Sequence, residues 1–212
     1  MTVYVIGPKD KYDLKKSINT TSSSKNWSRS LSPFLLGPVP LYEGAVLPYS
    51  QTMESAWQNS KLYPEHADEE GNPTREHFEW AKKGWERKRA ERYPMGKGHR
   101  PLCHWWGEPL GYIEARRKIY IPLYAKAVAK TRAFARLREE YVKAGSVTLW
   151  DFDGYNHRRM GLTIQEVVRN PDRNMGHAFV LAHLLEKMHP ELVKKKSNSE
   201  PKLTFQQLLE IF

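Results

Sequence analysis

The sequence predicts one helix-rich domain that carries a few short strands. Its 212 residues suit a single well-packed core and are short for two. Residues 2–6 and 147–150 alternate polar and apolar side chains, as half-buried strands do. Two longer tracts, 112–145 and 174–188, carry apolar residues at helical spacing and so predict the bulk of the core.

The first strand is rich in Val and Tyr and is closed by Gly7-Pro8. Residues 9–30 have no clear period. Ser22, Ser23 and Ser24 mark a loop, and Trp27 beyond it is either a core anchor or a stacking platform. From 31 to 49, prolines at 33, 38, 40 and 48 forbid a helix and permit short extended pieces, with a turn at Glu43-Gly44.

A helix of about three turns is expected over 52–63, with Ser50 or Thr52 as N-cap and Pro64 as the stop. On it Glu54, Trp57, Gln58 and Lys61 fall at i, i+3, i+4 and i+7, which puts them on one stripe. That stripe is either a surface face with its own side-chain contacts or the wall of a pocket. A plain core would not choose Glu54 or Lys61, and a solvated face would not need Trp57.

Residues 65–110 read as a charged insert of basic character, broken by Pro73, Pro94, Pro101 and Pro109. Within it 75–92 predicts one helix, whose Phe78, Trp80 and Trp85, with Tyr93 beyond, are interleaved with Lys82, Lys83, Arg87, Lys88, Arg89 and Arg92. Cations that hold phosphates beside rings that stack on bases suit nucleic acid; the other reading turns the rings inward. Lys97 and Arg100 belong to a glycine-containing run, 95–100, that suits a phosphate without being a P-loop.

The tract 112–145 is the longest helical stretch, with Pro122 expected to kink or split it and Gly145 to cap it. Arg116, Arg117, Tyr120 and Tyr124 gather around that break. The strand at 147–150 runs into Asp151-Phe152-Asp153-Gly154-Tyr155. Carboxylates at a strand exit beside a glycine turn are well placed for chemistry, although one of them can instead cap a turn. Thr163 and Glu166 have capping-box spacing. Asn174 is the expected cap of a last, all-round apolar helix, and His177 lies in its first turn. Residues 194–199 read as a basic linker and 203–212 as a short amphipathic helix.

Lys and Arg exceed Asp and Glu by ten, and such a field favours phosphate-rich partners, most simply nucleic acid. Cys103 is the single cysteine, which excludes an internal disulfide and any multi-cysteine zinc site. The first residues lack the order of a signal peptide, and no stretch is apolar enough to span a membrane, so a cytoplasmic protein is expected.

The order Leu31-Ser32-Pro33-Phe34, then Tyr42-Glu43-Gly44, then a helix with Glu54, Gln58 and Lys61, resembles the opening of the NADAR family. There a Leu-Ser-x-Phe turn, a Tyr-Glu-Gly or Tyr-Asp-Gly strand end and a Ser-x-Glu-His-x-x-Gln-x-x-Lys helix follow one another. The tract from Arg116, the strand with Asp153, and Asn174-Met175-Gly176 are similar to later parts of that family in the same order. The chain departs from it in lacking the His after the glutamate, in lacking a Trp-Gly pair after the aspartate, and in the length of 65–110.

The resemblance implies an α+β domain over 1–190, mostly helical with a small β-sheet, followed by the linker and helix of 191–212. It also implies hydrolysis of N-glycosidic bonds in nucleotide-like substrates, including ADP-ribose on guanine bases, with no metal or cofactor required. In that chemistry positive charge builds on the sugar and negative charge on the leaving base, so a carboxylate near the sugar and donors near the base are wanted. Glu54 is then the first carboxylate, with Asp153, or Asp151 in reserve, as the second. Trp57 and Tyr155 would sandwich the base, with Tyr120 nearby. Gln58 and Asn174 would read its edge, and Lys61, Arg117 and His177 would hold phosphates. The basic charge and the insert extend this to a glycosylase acting on a modified base in DNA rather than RNA, as a monomer, in phage defence or reversal of DNA ADP-ribosylation. An N-glycosidase of free nucleotides or ADP-ribose metabolites, and a noncatalytic nucleic-acid-binding protein, are the alternatives.

Overall fold

The structure, a computed structural model, describes residues 1–10, 14–96 and 98–187. The expected linker and last helix beyond 190 lie outside the described residues, as does Lys97. In chain order the elements are β1 (Thr2–Ile6), β2 (Ile18–Asn19), β3 (Val39–Pro40), β4 (Tyr49–Ser50), α1 (Met53–Gln58), β5 (Lys61–Leu62) and α2 (Arg75–Glu86). There follow β6 (Leu102–Trp105), β7 (Glu108–Leu110), α3 (Tyr112–Ala115), α4 (Ile121–Val128), α5 (Arg132–Ala144), β8 (Ser146–Trp150), α6 (Ile164–Arg169) and α7 (His177–Glu186). The fold is α+β, with more helix than strand. In place of one small sheet there are three, ordered β1-β8-β2, β3-β4 and β5-β6-β7. The chain divides into two compact units: a continuous one, Pro33–Leu123, and a discontinuous one made of Met1–Ser32 and the chain from Tyr124 onward.

In the discontinuous unit β8 lies between β1 and β2, and all three run parallel, with Thr2 opposite Ser146, Ile6 opposite Trp150 and Ile18 opposite Leu149. A parallel sheet must be covered on its faces, and the all-round apolar pattern of α7 fits that demand. Helix α7 packs on β1 and β8, burying every residue from His177 to Leu185. Gly145, at φ 71°, caps α5 and turns the chain into β8, as expected of a left-handed C-cap. Thr163 and Glu166 form the capping box of α6.

In the continuous unit Trp85, Trp105, Cys103, Leu110, Ala115 and Ile119 form the buried centre, with Tyr42, Trp57 and Leu123 packed against it. The Tyr42 and Trp105 rings meet edge to face at 4.8 Å. Burial pushes the Cys103 thiol up to about 11, so it stays protonated and behaves as a small apolar side chain.

Three helix readings are corrected. The helix expected over 52–63 ends at Gln58, because Asn59 turns its backbone N–H and its side-chain amide back onto the Ser55 carbonyl, and Lys61 and Leu62 are taken by β6. The helix expected over 75–92 stops at Glu86, with Arg87 extended. Tract 112–145 is divided twice. A π-turn at Arg116–Tyr120 precedes Pro122, whose missing N–H cannot complete an α-helical ladder, and Thr131 caps α5 as a separate helix.

Candidate functional site

The residues singled out in the sequence form two clusters, one in each unit. In the continuous unit α1 begins where the Thr52 hydroxyl accepts from the Ser55 N–H. This sets Glu54 in the first turn, where its own N–H donates to the Pro33 carbonyl and its side chain is buried, 8% exposed. The Gln58 amide donates to Glu54 Oε1 at 2.6 Å, and Lys61 Nζ donates to Gln58 Oε1 at 2.8 Å. Lys61 has left the helix for β5, yet it still closes the expected stripe. The result is a relay from a buried carboxylate through a half-buried amide to a half-buried ammonium.

Trp57 flanks the relay. Lys61 Nζ sits 5.4 Å from its ring centre, and the buried Tyr120 ring meets it edge-on at 5.3 Å. The π-turn decides which arginine comes inward: Arg117, expected to hold phosphate, is exposed, whereas Arg116 is 2% exposed. The Arg116 guanidinium lies 4.1 Å from the Tyr112 ring centre and donates to the Tyr112 hydroxyl. Sequence periodicity pointed to this break without separating the two arginines, because a π-turn shifts the helical face by one residue.

The insert differs in charge from its expected basic character. Over 65–110 nine Lys and Arg are matched by nine Asp and Glu, and the positive share is concentrated in 82–100. Lys82, Lys83, Arg87, Lys88, Arg89, Arg92 and Arg100 are all exposed; Arg87 pairs with Glu91, and Arg100 lies over the Tyr112 ring. Trp85 goes into the core, while Trp80 and Tyr93 pack with Tyr63 and His66.

In the discontinuous unit Asp151 follows β8 directly and is buried. Its Oδ2 accepts from the Ala178 N–H at 3.0 Å and lies 3.0 Å from His177 Nδ1. His177 Nε2 lies 2.9 Å from the Thr20 carbonyl, so the ring is held between two oxygens, one at each nitrogen. Burial raises the Asp151 carboxyl, but the His177 charge, the hydrogen bond from it and the Ala178 N–H outweigh this and hold it below the usual carboxylate range.

Asp151 thereby caps α7 from another element. The N-cap residue is Gly176 rather than Asn174, because Asp151 supplies the capping oxygen, and position 176 needs glycine, since a Cβ there would lie 2.2 Å from Asp151 Oδ2. Asn174 is exposed and donates to Asp153 Oδ1 at 3.0 Å; Asp153 is exposed as well. Tyr155 is half-buried, with Phe179 at 4.8 Å and the Arg173 guanidinium 5.0 Å from its ring centre. Asp151 and His177 are thus committed to each other, Asp153 and Asn174 face the surface, and Tyr155 packs on Phe179 with its hydroxyl buried.

Among the described residues no group of three or more His, Cys, Asp or Glu side chains could hold a metal ion, and no helix is long and apolar enough to cross a membrane. No curated protein and no solved structure matches the chain. A family model does match, over residues 9–181, and the chain belongs to that family, DUF6939, whose description is "Family of unknown function".

Proposed function

We propose that the protein is an N-glycosidase that hydrolyses the N-glycosidic bond of a modified base in nucleic acid, with Glu54 as its catalytic carboxylate. The observation that carries this reading is the Glu54–Gln58–Lys61 relay beside the Trp57 and Tyr120 rings. The resemblance of 31–63 to the NADAR opening supports it. Hydrolysis adds hydroxide to the anomeric carbon and a proton to the departing base. Glu54 takes a proton from the attacking water, its negative charge stabilises the cationic sugar, and the proton then passes to the base nitrogen as the C–N bond breaks. Trp57 offers a stacking face, Gln58 orients the carboxylate, and the half-buried charge of Lys61 answers phosphate.

The test incubates wild-type and Glu54→Gln protein with unmodified, phage-modified and ADP-ribosylated DNA, followed by alkaline cleavage at abasic sites and mass spectrometry of released bases. Cleavage of one modified DNA by wild type alone is the expected result. Intact DNA throughout, with no base released, sinks the proposal.

One observation favours a second reading, in which free nucleotides or ADP-ribose metabolites are cut. The continuous unit, which holds Glu54, carries 13 Lys and Arg against 12 Asp and Glu, so it has little excess charge of its own to attract a polymer. Base release from mononucleotides at least as fast as from DNA would establish it.

A further inference from the structure

The excess positive charge lies in the discontinuous unit, which carries 21 Lys and Arg against 12 Asp and Glu over the sequence it spans. Helix α5 buries Ala133, Phe134, Leu137 and Tyr141, which leaves Arg132, Arg136, Glu139 and Lys143 exposed, with Lys130 exposed just before it and Arg136 Nε paired to Glu140 at 3.2 Å. Against this helix packs a 3-10 turn, Trp27–Leu31, flanked and joined by the exposed Lys25 and Arg29. The Arg136 guanidinium lies 4.8 Å from the Trp27 ring centre, tying the two elements together. Lys16, on a neighbouring 3-10 turn, lines a cavity of about 560 Å³ together with Glu140 and Ala144 of α5 and Tyr4, Thr148 and Asn156.

We infer that this face, formed by Lys25, Arg29, Lys130, Arg132 and Arg136 around Trp27, is the surface that holds the phosphate backbone of nucleic acid. The inference rests on the nucleic-acid reading above and moves the contact away from the insert at 82–100. Two features favour it. The cations come from two elements that touch, so they form one field rather than a solvated run on a single helix. Arginine predominates, and its planar fork suits phosphate oxygens. An anionic membrane fits less well, because the apolar face that α5 would insert is already committed to the core.

The test is fluorescence anisotropy of labelled single-stranded and duplex DNA with the full chain at several salt concentrations. The triple variant Lys130→Gln/Arg132→Gln/Arg136→Gln is expected to bind at least tenfold more weakly, with a salt slope about 3 smaller. The double variant Lys25→Gln/Arg29→Gln is expected to follow it, losing about 2 from the slope. The control triple Lys82→Gln/Lys83→Gln/Arg89→Gln is expected to stay within about threefold of wild type. Circular dichroism checks that all three fold. Equal losses from the α5 and control triples, or loss from the control alone, overturn this inference and leave the nucleic-acid reading standing. Wild type that binds neither DNA overturns both.

Discussion

His177 is clamped between Asp151 and Thr20, with Nδ1 3.0 Å from Asp151 Oδ2 and the Thr20 carbonyl 2.9 Å from the other ring nitrogen. The pair joins the end of β8 to the start of α7. Removing one charge of a buried pair leaves the other uncompensated. Asp151→Asn is therefore expected to cost about 3–5 kcal/mol, read as a lower urea midpoint with an unchanged m-value. Asp153→Asn, at an exposed site, is expected to change stability by less than about 0.5 kcal/mol.

Acid weakens the fold through different groups. Burial pushes His77 down to about 4, assisted by repulsion from His104 and His66. Burial likewise holds His157 at about 4, with Arg158 lowering it further and Glu186 opposing. Because these folded values lie below the ordinary 6.5, the unfolded chain takes up protons first as pH falls. Stability is thus full above about pH 6.5 and declines towards pH 4, by on the order of 1–2 kcal/mol for each histidine. Urea midpoints measured from pH 7.5 to 4 should show this decline, and His77→Gln should flatten it. An equally steep decline in that variant would remove His77 from the account.

Glu54 and Lys61 are expected to separate kinetically. Glu54→Gln keeps the size and a partner for Gln58 while removing the base, so kcat is expected to fall at least about 100-fold with DNA binding within about threefold. Lys61→Ala is expected to act mainly through KM. Loss of binding as large as the loss of turnover in Glu54→Gln would make Glu54 structural.

Two glycines lock the strand exits together. A Cβ on Gly7 would lie 1.9 Å from the Gly154 carbonyl oxygen, and one on Gly154 would lie 2.2 Å from that of Ile6. Since the obstacles are backbone atoms, neither can be relieved by a rotamer change. Gly7→Ala and Gly154→Ala are each expected to cost more than about 2 kcal/mol, whereas Gly71→Ala, with open space around it, costs only the strain of its positive φ. Thermal melts of the three variants provide the check.

What was legible in the sequence is what neighbouring residues decide. Thr2–Ile6, the Thr163–Glu166 box, the Gly145 cap and the apolar run of α7 all read directly. What was not legible depends on distant partners. Lys61 leaves its helix because β6 pairs with it, and the two-residue β2 exists only as a neighbour of β8. Asn174 loses the cap to Gly176 because Asp151 supplies the capping oxygen from across the chain. Arg116 turns inward and Arg117 outward because a π-turn, which leaves no mark in hydrophobic spacing, sets their faces.

The parallel pairing of β1 with β8 also imposes an order in time. Thr2 must find Ser146, so during synthesis the first strand waits for its partner, on the order of ten seconds at ordinary elongation rates. Pro33–Leu123 is complete in the chain before that partner has been made. Its own contacts can close during the wait, so birth on the ribosome proceeds from the middle outward. Until then β1 presents an unpaired edge that is open to wrong pairing.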